Sequence, residues 1–202
     1  MEREIRKGTT TIGLKAKDGI VLASESRATM GNMIANKEVD KIFKIQDHIG
    51  LTTAGSVADA QTLVRLMQVE TNLYQIERER PIQVQAAATL LSNILQQNKW
   101  FPYWVQLLLG GYDTEPKLYS LDALGSVIEE KVTSTGSGSP FAYGVLESKY
   151  KEDIGVEENI DIALDALHSA MERDAMSGNN INLVKITKKG YEKLDASKYL
   201  KK

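Results

Sequence analysis

Cysteine is absent from this sequence of 202 residues. Without a thiol, the chain can form no disulfide, hold no zinc–thiolate or iron–sulfur centre and use no cysteine nucleophile. Histidine is scarce: His48 lies in a predicted turn and His168 in a predicted helix, and neither belongs to a spaced group of metal ligands. We therefore expect no metal and no cofactor. The lack of cysteine also fits a reducing, cytoplasmic location.

Long apolar runs and an excess of one charge are missing as well. The richest apolar stretches, residues 86–91 and 105–109, are much shorter than the roughly 20 residues of a transmembrane helix. The opening segment MEREIRKG is too charged for a secretory signal. The 25 Lys and Arg residues nearly balance the 27 Asp and Glu residues, which disfavours a broad surface for nucleic acid or an anionic membrane. We expect neither partner.

The sequence patterns alternate between groups of strands and pairs of helices. β-Branched and alternating runs predict strands at 9–16, 20–24, 42–45, 49–53, 103–109, 117–121, 129–134, 181–187 and 191–194. Apolar residues at helical spacing predict helices at about 56–78, 81–99, 141–147 and 156–176. Each helix pair has one apolar stripe, and each strand group needs a covered face. The sequence therefore predicts one α+β domain, a four-layer αββα sandwich of two antiparallel sheets between helix pairs.

An unusual feature of the sequence is Gly8 followed by three threonines. Threonine favours strands, so the run could be structural. Alternatively, cleavage after Gly8 would make Thr9 the chain terminus. An α-amine has a pKa near 8, about two units below that of a lysine side chain, so it can accept the hydroxyl proton of its own residue. A threonine activated by its own amine is a known nucleophile.

The segment 8–13, GTTTIG, resembles the processing site of proteasome β subunits, which are N-terminal-nucleophile hydrolases. Further segments resemble landmarks of this family in the same order and at similar spacing: Arg27-Ala28-Thr29, Lys41-Ile42-Phe43, Thr53-Ala54-Gly55, Asp59-Ala60-Gln61, residues 134–139 (STGSGS), Arg173-Asp174 and Ser177-Gly178. Each motif is weak by itself, whereas the ordered set is specific. The resemblance runs from Gly8 to about Tyr191 and is strongest to the archaeal type.

The resemblance implies a set of catalytic residues. Thr9 would supply the attacking Oγ and, after cleavage, the amine. Lys41 would be a nearby cation that lowers the pKa of both groups. Glu25 would be its partner, at a position where many relatives have Asp. The backbone N–H of Gly55 would donate to the oxyanion. The remaining members of the set would form hydrogen bonds around the nucleophile and its amine: Ser137, Asp174 and Ser177.

The same resemblance implies how a substrate binds. An extended peptide would pair with strand edges through main-chain hydrogen bonds, which are largely blind to sequence. The positions that match the family's peptide-binding segments and first specificity pocket are Ala28, Thr29, Val39, Thr53 and Val57. They are small or apolar and include no carboxylate. We therefore expect chymotrypsin-like cleavage, after hydrophobic residues.

The resemblance also implies an assembly and a maturation step. Seven β subunits, identical or mixed, would form a ring, and two such rings would stack between rings of α subunits as α7β7β7α7. An ATPase regulator would act indirectly through the α ring, and unfolded polypeptides would be the substrates. Residues 1–8 would be a propeptide that keeps the zymogen inactive until autocatalytic cleavage between Gly8 and Thr9. Residues 9–202 would then be the catalytic domain of a threonine endopeptidase.

Three other readings compete with this one. A bacterial two-ring threonine protease shares the opening threonines, but its chains are shorter, and the extra helix and C-terminal hairpin here argue against it. A catalytically silent ring subunit would lack the nucleophile, the lysine or the cleavage glycine, whereas Thr9, Lys41 and Gly8 are all present. A plain binding module would leave the coincidence of these residues unexplained.

Overall fold

The computed structural model describes residues 8–199. The predicted propeptide therefore lies outside the described residues except for Gly8. The strands are β1 (Thr10–Ala16), β2 (Gly19–Glu25), β3 (Ala28–Met30), β4 (Met33–Asn36), β5 (Ile42–Gln46), β6 (Ile49–Gly55), β7 (Val105–Tyr112), β8 (Pro116–Leu121), β9 (Val127–Glu129), β10 (Val132–Gly136), β11 (Ile181–Thr187) and β12 (Gly190–Leu194). The helices are α1 (Val57–Arg78), α2 (Val84–Gln97), α3 (Ser139–Lys149) and α4 (Val156–Arg173), and a 3-10 turn covers Ala196–Lys198.

Two antiparallel five-stranded sheets form the centre of the fold. One sheet has the strand order β10-β1-β2-β11-β12 and the other β5-β6-β7-β8-β9, while β3 and β4 form a separate hairpin. Apolar residues of the second sheet pack against α1 and α2, and those of the first sheet pack against α3 and α4. A third cluster, which includes Leu22, Leu118 and Ile186, fills the space between the sheets. The predicted four-layer αββα sandwich is confirmed.

Gly13 permits the close approach of the two sheets. Strand β1 directs Ile12 and Leu14 into the core beneath α3 and α4. Because side chains alternate along a strand, Gly13 faces the opposite sheet. A Cβ at Gly13 would lie 2.8 Å from a methyl group of Leu118. The absent side chain therefore allows β1 to lie against β8.

Several element boundaries differ from the prediction. Residues 129–134 were predicted as one strand, but Glu129 ends β9 in one sheet and Val132 starts β10 in the other. The chain crosses between the sheets in the two intervening residues. The β3–β4 hairpin was not predicted. Helix α2 begins at Val84 rather than near 81, and α4 ends at Arg173 because Asp174 leaves the helical conformation.

The topology brings five segment ends together. The start of β1 lies beside the end of β2, since Thr11 pairs with Ser24. It also lies beside the end of β10, since Thr10 pairs with Gly136. The Thr53 N–H donates to the Lys41 carbonyl, which holds the residue before β5 against the end of β6. Thr9, Glu25 and Lys41 therefore meet at one end of the sandwich.

We find no helix between residues 8 and 199 that is long and apolar enough to cross a membrane.

Candidate active site

Thr9 is fixed in a buried position immediately before β1. Its backbone N–H donates to Ser137 Oγ at 3.2 Å. Its hydroxyl donates to the carbonyl oxygen of Gly8, with 2.6 Å between Thr9 Oγ1 and that oxygen. The Gly8 N–H points to Thr29 Oγ1 at 3.4 Å. The hydroxyl thus lies directly against the carbonyl of the peptide bond that precedes it.

Lys41 approaches the same hydroxyl from the other side. Its side chain is buried, and Nζ donates to Thr9 Oγ1 at 3.0 Å and to the Arg27 carbonyl at 2.6 Å. Nζ also forms an ion pair with Glu25 Oε1. An ammonium group has three protons, so these three acceptors satisfy it completely. The lysine is therefore held in one position with a proton directed at the nucleophile.

Glu25 is a fully buried carboxylate at the end of β2. Besides Lys41, it accepts three backbone N–H groups: that of Thr10 at 3.1 Å on Oε1, and those of Arg27 at 2.7 Å and Gly178 at 3.1 Å on Oε2. Burial of an ionised group requires such compensation, because each lost contact with water must be replaced. The carboxylate therefore connects the lysine, the start of β1 and the loop after α4.

The pKa of Lys41 is lowered from its ordinary value of 10.5. Burial is the largest cause, because it disfavours the charged form, and it outweighs the opposing attraction of Glu25. The lysine therefore holds its proton less firmly than an exposed lysine does. We expected a fixed cation at this position, whereas the lowered pKa makes Lys41 a better proton donor as well.

Asp174 connects the remaining predicted residues. Its Oδ2 accepts the hydroxyl of Ser137 at 2.5 Å and the hydroxyl of Ser177 at 2.7 Å. Ser177 Oγ in turn lies 2.7 Å from Thr10 Oγ1. The α4–β11 loop and the β10–α3 corner are thereby joined next to Thr9. The structure places all three of these predicted residues around the nucleophile.

Gly55 ends β6 with a positive φ of 121°. A Cβ here would lie 2.1 Å from the carbonyl oxygen of Trp104, so the close approach of the residue before β7 also requires glycine. Gly55 lines the same cavity as Thr9. Its neighbour Ser56 occupies the N-cap position of α1, but its side chain makes no capping hydrogen bond.

A cavity of about 500 Å³ opens beside Thr9 and Lys41. All the predicted substrate-binding residues line it: Ala28, Thr29, Val39, Thr53 and Val57. The lining also contains the carboxylate residues Glu38 and Asp40, which were not among the predicted positions. Asp40 accepts a hydrogen bond from Lys193 Nζ at 3.0 Å, which offsets its charge at the cavity edge.

Sequence reasoning missed two contributions to the site. Arg27 was noted as part of a motif, but its carbonyl is a ligand of the Lys41 ammonium group. Its guanidinium also holds the α4–β11 loop, by donating to the Ala175 carbonyl at 2.8 Å and to Asn179 Oδ1 at 2.9 Å. Met176, which packs against Gly8, was the second omission. Neither contact has a local sequence signal, since both join residues that are far apart in the chain.

No group of three or more His, Asp or Glu side chains within residues 8–199 is arranged to hold a metal ion.

Comparison with known proteins gives the family. The sequence profile described as "Proteasome subunit" matches residues 5–186. The chain belongs to the proteasome subunit family. It is 56% identical over 193 residues to a "Proteasome subunit beta" of Ferroglobus placidus, covering 95% of this chain and 92% of the relative. It is 56% identical over 195 residues to the protein of the same description from Methanosphaerula palustris, covering 96% and 92%.

A third archaeal relative is similar to the same extent. The "Proteasome subunit beta" of Methanosarcina thermophila is 53% identical over 191 residues, covering 94% of this chain and 91% of the relative. The resemblance noted in the sequence is therefore confirmed, for the family and for the archaeal type. The proteasome family match covers all four helices and every strand except β12 and the last residue of β11.

Proposed function

We propose that this chain is a catalytic β subunit of a proteasome core particle and acts as an N-terminal threonine endopeptidase. One observation carries the proposal: Thr9 Oγ1 lies 3.0 Å from Lys41 Nζ and 2.6 Å from the Gly8 carbonyl oxygen. The hydroxyl is thus held between a cation and the peptide bond that must be cut. Residues 1–8 are the propeptide, and residues 9–202 form the mature catalytic domain.

The first reaction is removal of the propeptide. Thr9 Oγ forms a bond to the Gly8 carbonyl carbon, the bond from that carbon to Thr9 N breaks, and the hydroxyl proton ends on that nitrogen. Water then hydrolyses the resulting ester, which releases the Gly8 carboxylate and restores the hydroxyl. Lys41 stabilises the developing negative charge on Oγ. Ser137 Oγ, already 3.2 Å from Thr9 N, orients the nitrogen that becomes the amine.

The second reaction is peptide hydrolysis by the mature chain. The Thr9 amine takes the hydroxyl proton, Oγ attacks a substrate carbonyl, and the leaving peptide receives a proton as its amine departs. Water then hydrolyses the acyl-enzyme. Lys41, with its lowered pKa, can also supply and recover this proton. The backbone N–H of Gly55 stabilises the oxyanion, a contribution of roughly 3–4 kcal/mol in comparable hydrolases.

The cavity beside Thr9 receives the substrate side chain that precedes the cut bond. Val39 and Val57 give it apolar walls, which favours hydrophobic residues. Glu38 adds a carboxylate to its lining, so a basic residue can also be accommodated. We propose chymotrypsin-like cleavage as the main activity. Assays with peptides ending in Leu, Tyr, Arg or Glu measure the preference, and the slowest turnover is expected for Glu.

The proposal also includes assembly. This chain assembles with α subunits and further β subunits, and the particle degrades unfolded polypeptides in the cytoplasm. Large apolar side chains remain exposed on the described chain, including Val69, Leu73 and Ile76, which lie on one face of α1. Contiguous exposed apolar surface of this kind marks an interaction site. An ATPase regulator would act through the α ring and not through this chain.

Variants at Thr9 test the proposal. Thr9→Val keeps the size and branching of the side chain but removes the nucleophile, whereas Thr9→Ser keeps the hydroxyl. After co-expression with an α partner, we expect the wild-type protein and Thr9→Ser to begin at residue 9 and to hydrolyse peptides. Thr9→Val should retain the propeptide, assemble and be inactive. An active Thr9→Val particle would show that Thr9 is not the nucleophile, whereas an inactive wild-type particle that retains Met1 would support a silent ring subunit instead.

A further inference from the structure

Gly8 is packed against a side chain that leaves no space for any other residue. An ideal Cβ on Gly8 would lie 1.6 Å from Met176 Cβ, 2.6 Å from its Cγ and 2.8 Å from its Cα. A rotation of the Met176 side chain could move Cγ, but it cannot move Cα or Cβ. Ordinary van der Waals separation begins near 3.4 Å, so the two residues would have to move apart by about 1.8 Å.

Met176 itself is held firmly by its neighbours in the loop between α4 and β11. Its N–H donates to Asp174 Oδ1 at 3.1 Å. The following residue, Ser177, is fully buried and bonded to Asp174 and Thr10. The Gly178 N–H then donates to Glu25. The loop that carries Met176 is thus tied to the catalytic residues, and it cannot retreat by 1.8 Å without disturbing them.

The opposite side of Gly8 is also fixed. Its N–H reaches Thr29 Oγ1 and its carbonyl accepts the Thr9 hydroxyl. If an alanine at position 8 moved away from Met176, its carbonyl would move relative to Thr9 Oγ1. Displacement of a reacting group by about 1 Å can reduce a rate about 100-fold. A side chain at position 8 should therefore slow propeptide cleavage, because it displaces the Gly8 carbonyl from Thr9 Oγ1.

We propose that Met176 is the residue that restricts self-processing to a glycine before Thr9. The inference rests on the proposed function, since it concerns cleavage of the Gly8–Thr9 bond. A substrate cut in trans is not linked to the Thr9 nitrogen, and its side chain enters the cavity lined by Val39 and Val57. Met176 does not line that cavity. Two different parts of the structure thus select the residue before the cut bond. Met176 selects it in the propeptide, and the cavity selects it in substrates.

The test uses the full chain co-expressed with its α partner, with propeptide loss followed by intact mass. Gly8→Ala should slow processing about 100-fold relative to the wild-type protein. Gly8→Ala with Met176→Gly should recover part of that rate, because the closest contact at position 176 becomes the α-carbon at 2.8 Å, so the required shift falls from about 1.8 Å to about 0.6 Å. Gly8→Ala with Met176→Ala is the matched control. It should stay slow, because alanine retains the Cβ.

Each result has a defined meaning. Rapid processing of Gly8→Ala, or equal rates for the two double variants, would overturn the role of Met176. A wild-type particle that never processes would instead contradict the proposed function. Should Met176→Gly impair assembly, a series with Ala, Ser and Val at position 8 decides the question. The proposal expects equally slow processing for all three, because the clash occurs at Cβ, whereas rates that fall with side-chain size would overturn it.

Discussion

At the scale of single residues, the site depends on the buried pair of Lys41 and Glu25. Burying two charges is unfavourable unless hydrogen bonds replace the lost water. Here the lysine has three acceptors and the carboxylate has four donors. The pair is therefore fully compensated, and removal of one partner leaves the other charge without a counterion.

The cost of breaking this pair can be measured. Glu25→Gln leaves the Lys41 ammonium group buried beside a neutral amide, and we expect a loss of about 3–5 kcal/mol in unfolding free energy. Glu25→Gln with Lys41→Met removes both charges and should recover most of that stability while remaining inactive. Chemical denaturation in a Thr9→Val background checks this. Equal stability of the single variant and its parent would show that the pair contributes little.

The lowered pKa of Lys41 predicts a pH dependence of stability. The unfolded chain binds the Lys41 proton up to about pH 10.5, whereas the folded chain releases it at lower pH. Since the unfolded state then binds more protons, stability rises with pH within that window. The Tm of the parent should therefore rise relative to that of the doubly substituted variant as the pH increases toward 10.5. A constant difference in Tm would contradict the lowered pKa.

The sequence identified these charged residues only through their resemblance to a family. Lys41 alone is typical of a surface charge, and Glu25 of a strand end. Their partnership depends on β2 and the segment before β5 meeting at one end of the sandwich. Nothing in the sequence indicated the role of Met176, because that role depends on its short distance to Gly8 in the folded chain.

At the scale of elements, the position of Thr9 depends on the pairing of β1 with β10. Thr10 pairs with Gly136, whose φ is 94° and whose added Cβ would lie 1.9 Å from the Thr9 carbonyl oxygen. A left-handed residue that approaches another backbone this closely must be glycine. The end of β10 therefore sets where β1, and with it the nucleophile, begins.

A matched pair of glycine substitutions tests this dependence. Gly136→Ala should destabilise the chain and slow processing, because the strand end must shift away from Thr9. Gly144 lies within α3, and a Cβ added there would have no neighbouring atom within 4 Å. Gly144→Ala should therefore stabilise the chain by about 0.5–1 kcal/mol. Thermal unfolding and intact mass report both effects, and a benign Gly136→Ala would refute the role of the pairing.

Elements whose apolar residues recur at regular spacing could be predicted from the sequence, whereas exposed elements could not. Helix α1 was located closely because Leu63, Val64 and Met67 recur at helical spacing and are buried. The hairpin of β3 and β4 has partly or fully exposed residues throughout, so its side chains carry no alternating pattern. The crossing from β9 to β10 was missed because one β-prone run serves two different sheets.

At the scale of the whole molecule, four buried side-chain polar atoms within residues 8–199 lack a hydrogen-bond partner, and the Tyr119 hydroxyl is one of them. Tyr119 on β8 is buried, and its hydroxyl forms no hydrogen bond within residues 8–199. Burial, followed by the charge of Glu129, raises the pKa of Tyr119 to about 12. An unfolded tyrosine loses its proton near pH 10. The folded state thus holds this proton longer than the unfolded state does.

This difference predicts a loss of stability in alkali. As the pH rises from 10 to 12, the fold loses up to about 2–3 kcal/mol through Tyr119, and Tyr119→Phe should escape that loss. At pH 7 Tyr119→Phe should cost nothing, because no hydrogen bond is removed. Tyr150→Phe provides the contrast, since it deletes a bond to the Lys15 carbonyl and should cost about 1 kcal/mol. An equal loss of stability between pH 10 and pH 12 in Tyr119→Phe and its parent would contradict this.

The most direct measurement follows the N-terminus and the activity of one assembling sample over time. Intact mass reports the fraction of chains that begin at Thr9, and a fluorogenic peptide reports turnover in the same aliquots. We predict that turnover rises in proportion to that fraction and is absent before the Gly8–Thr9 bond is cut. Particles that digest the peptide while every chain retains that bond would contradict the account.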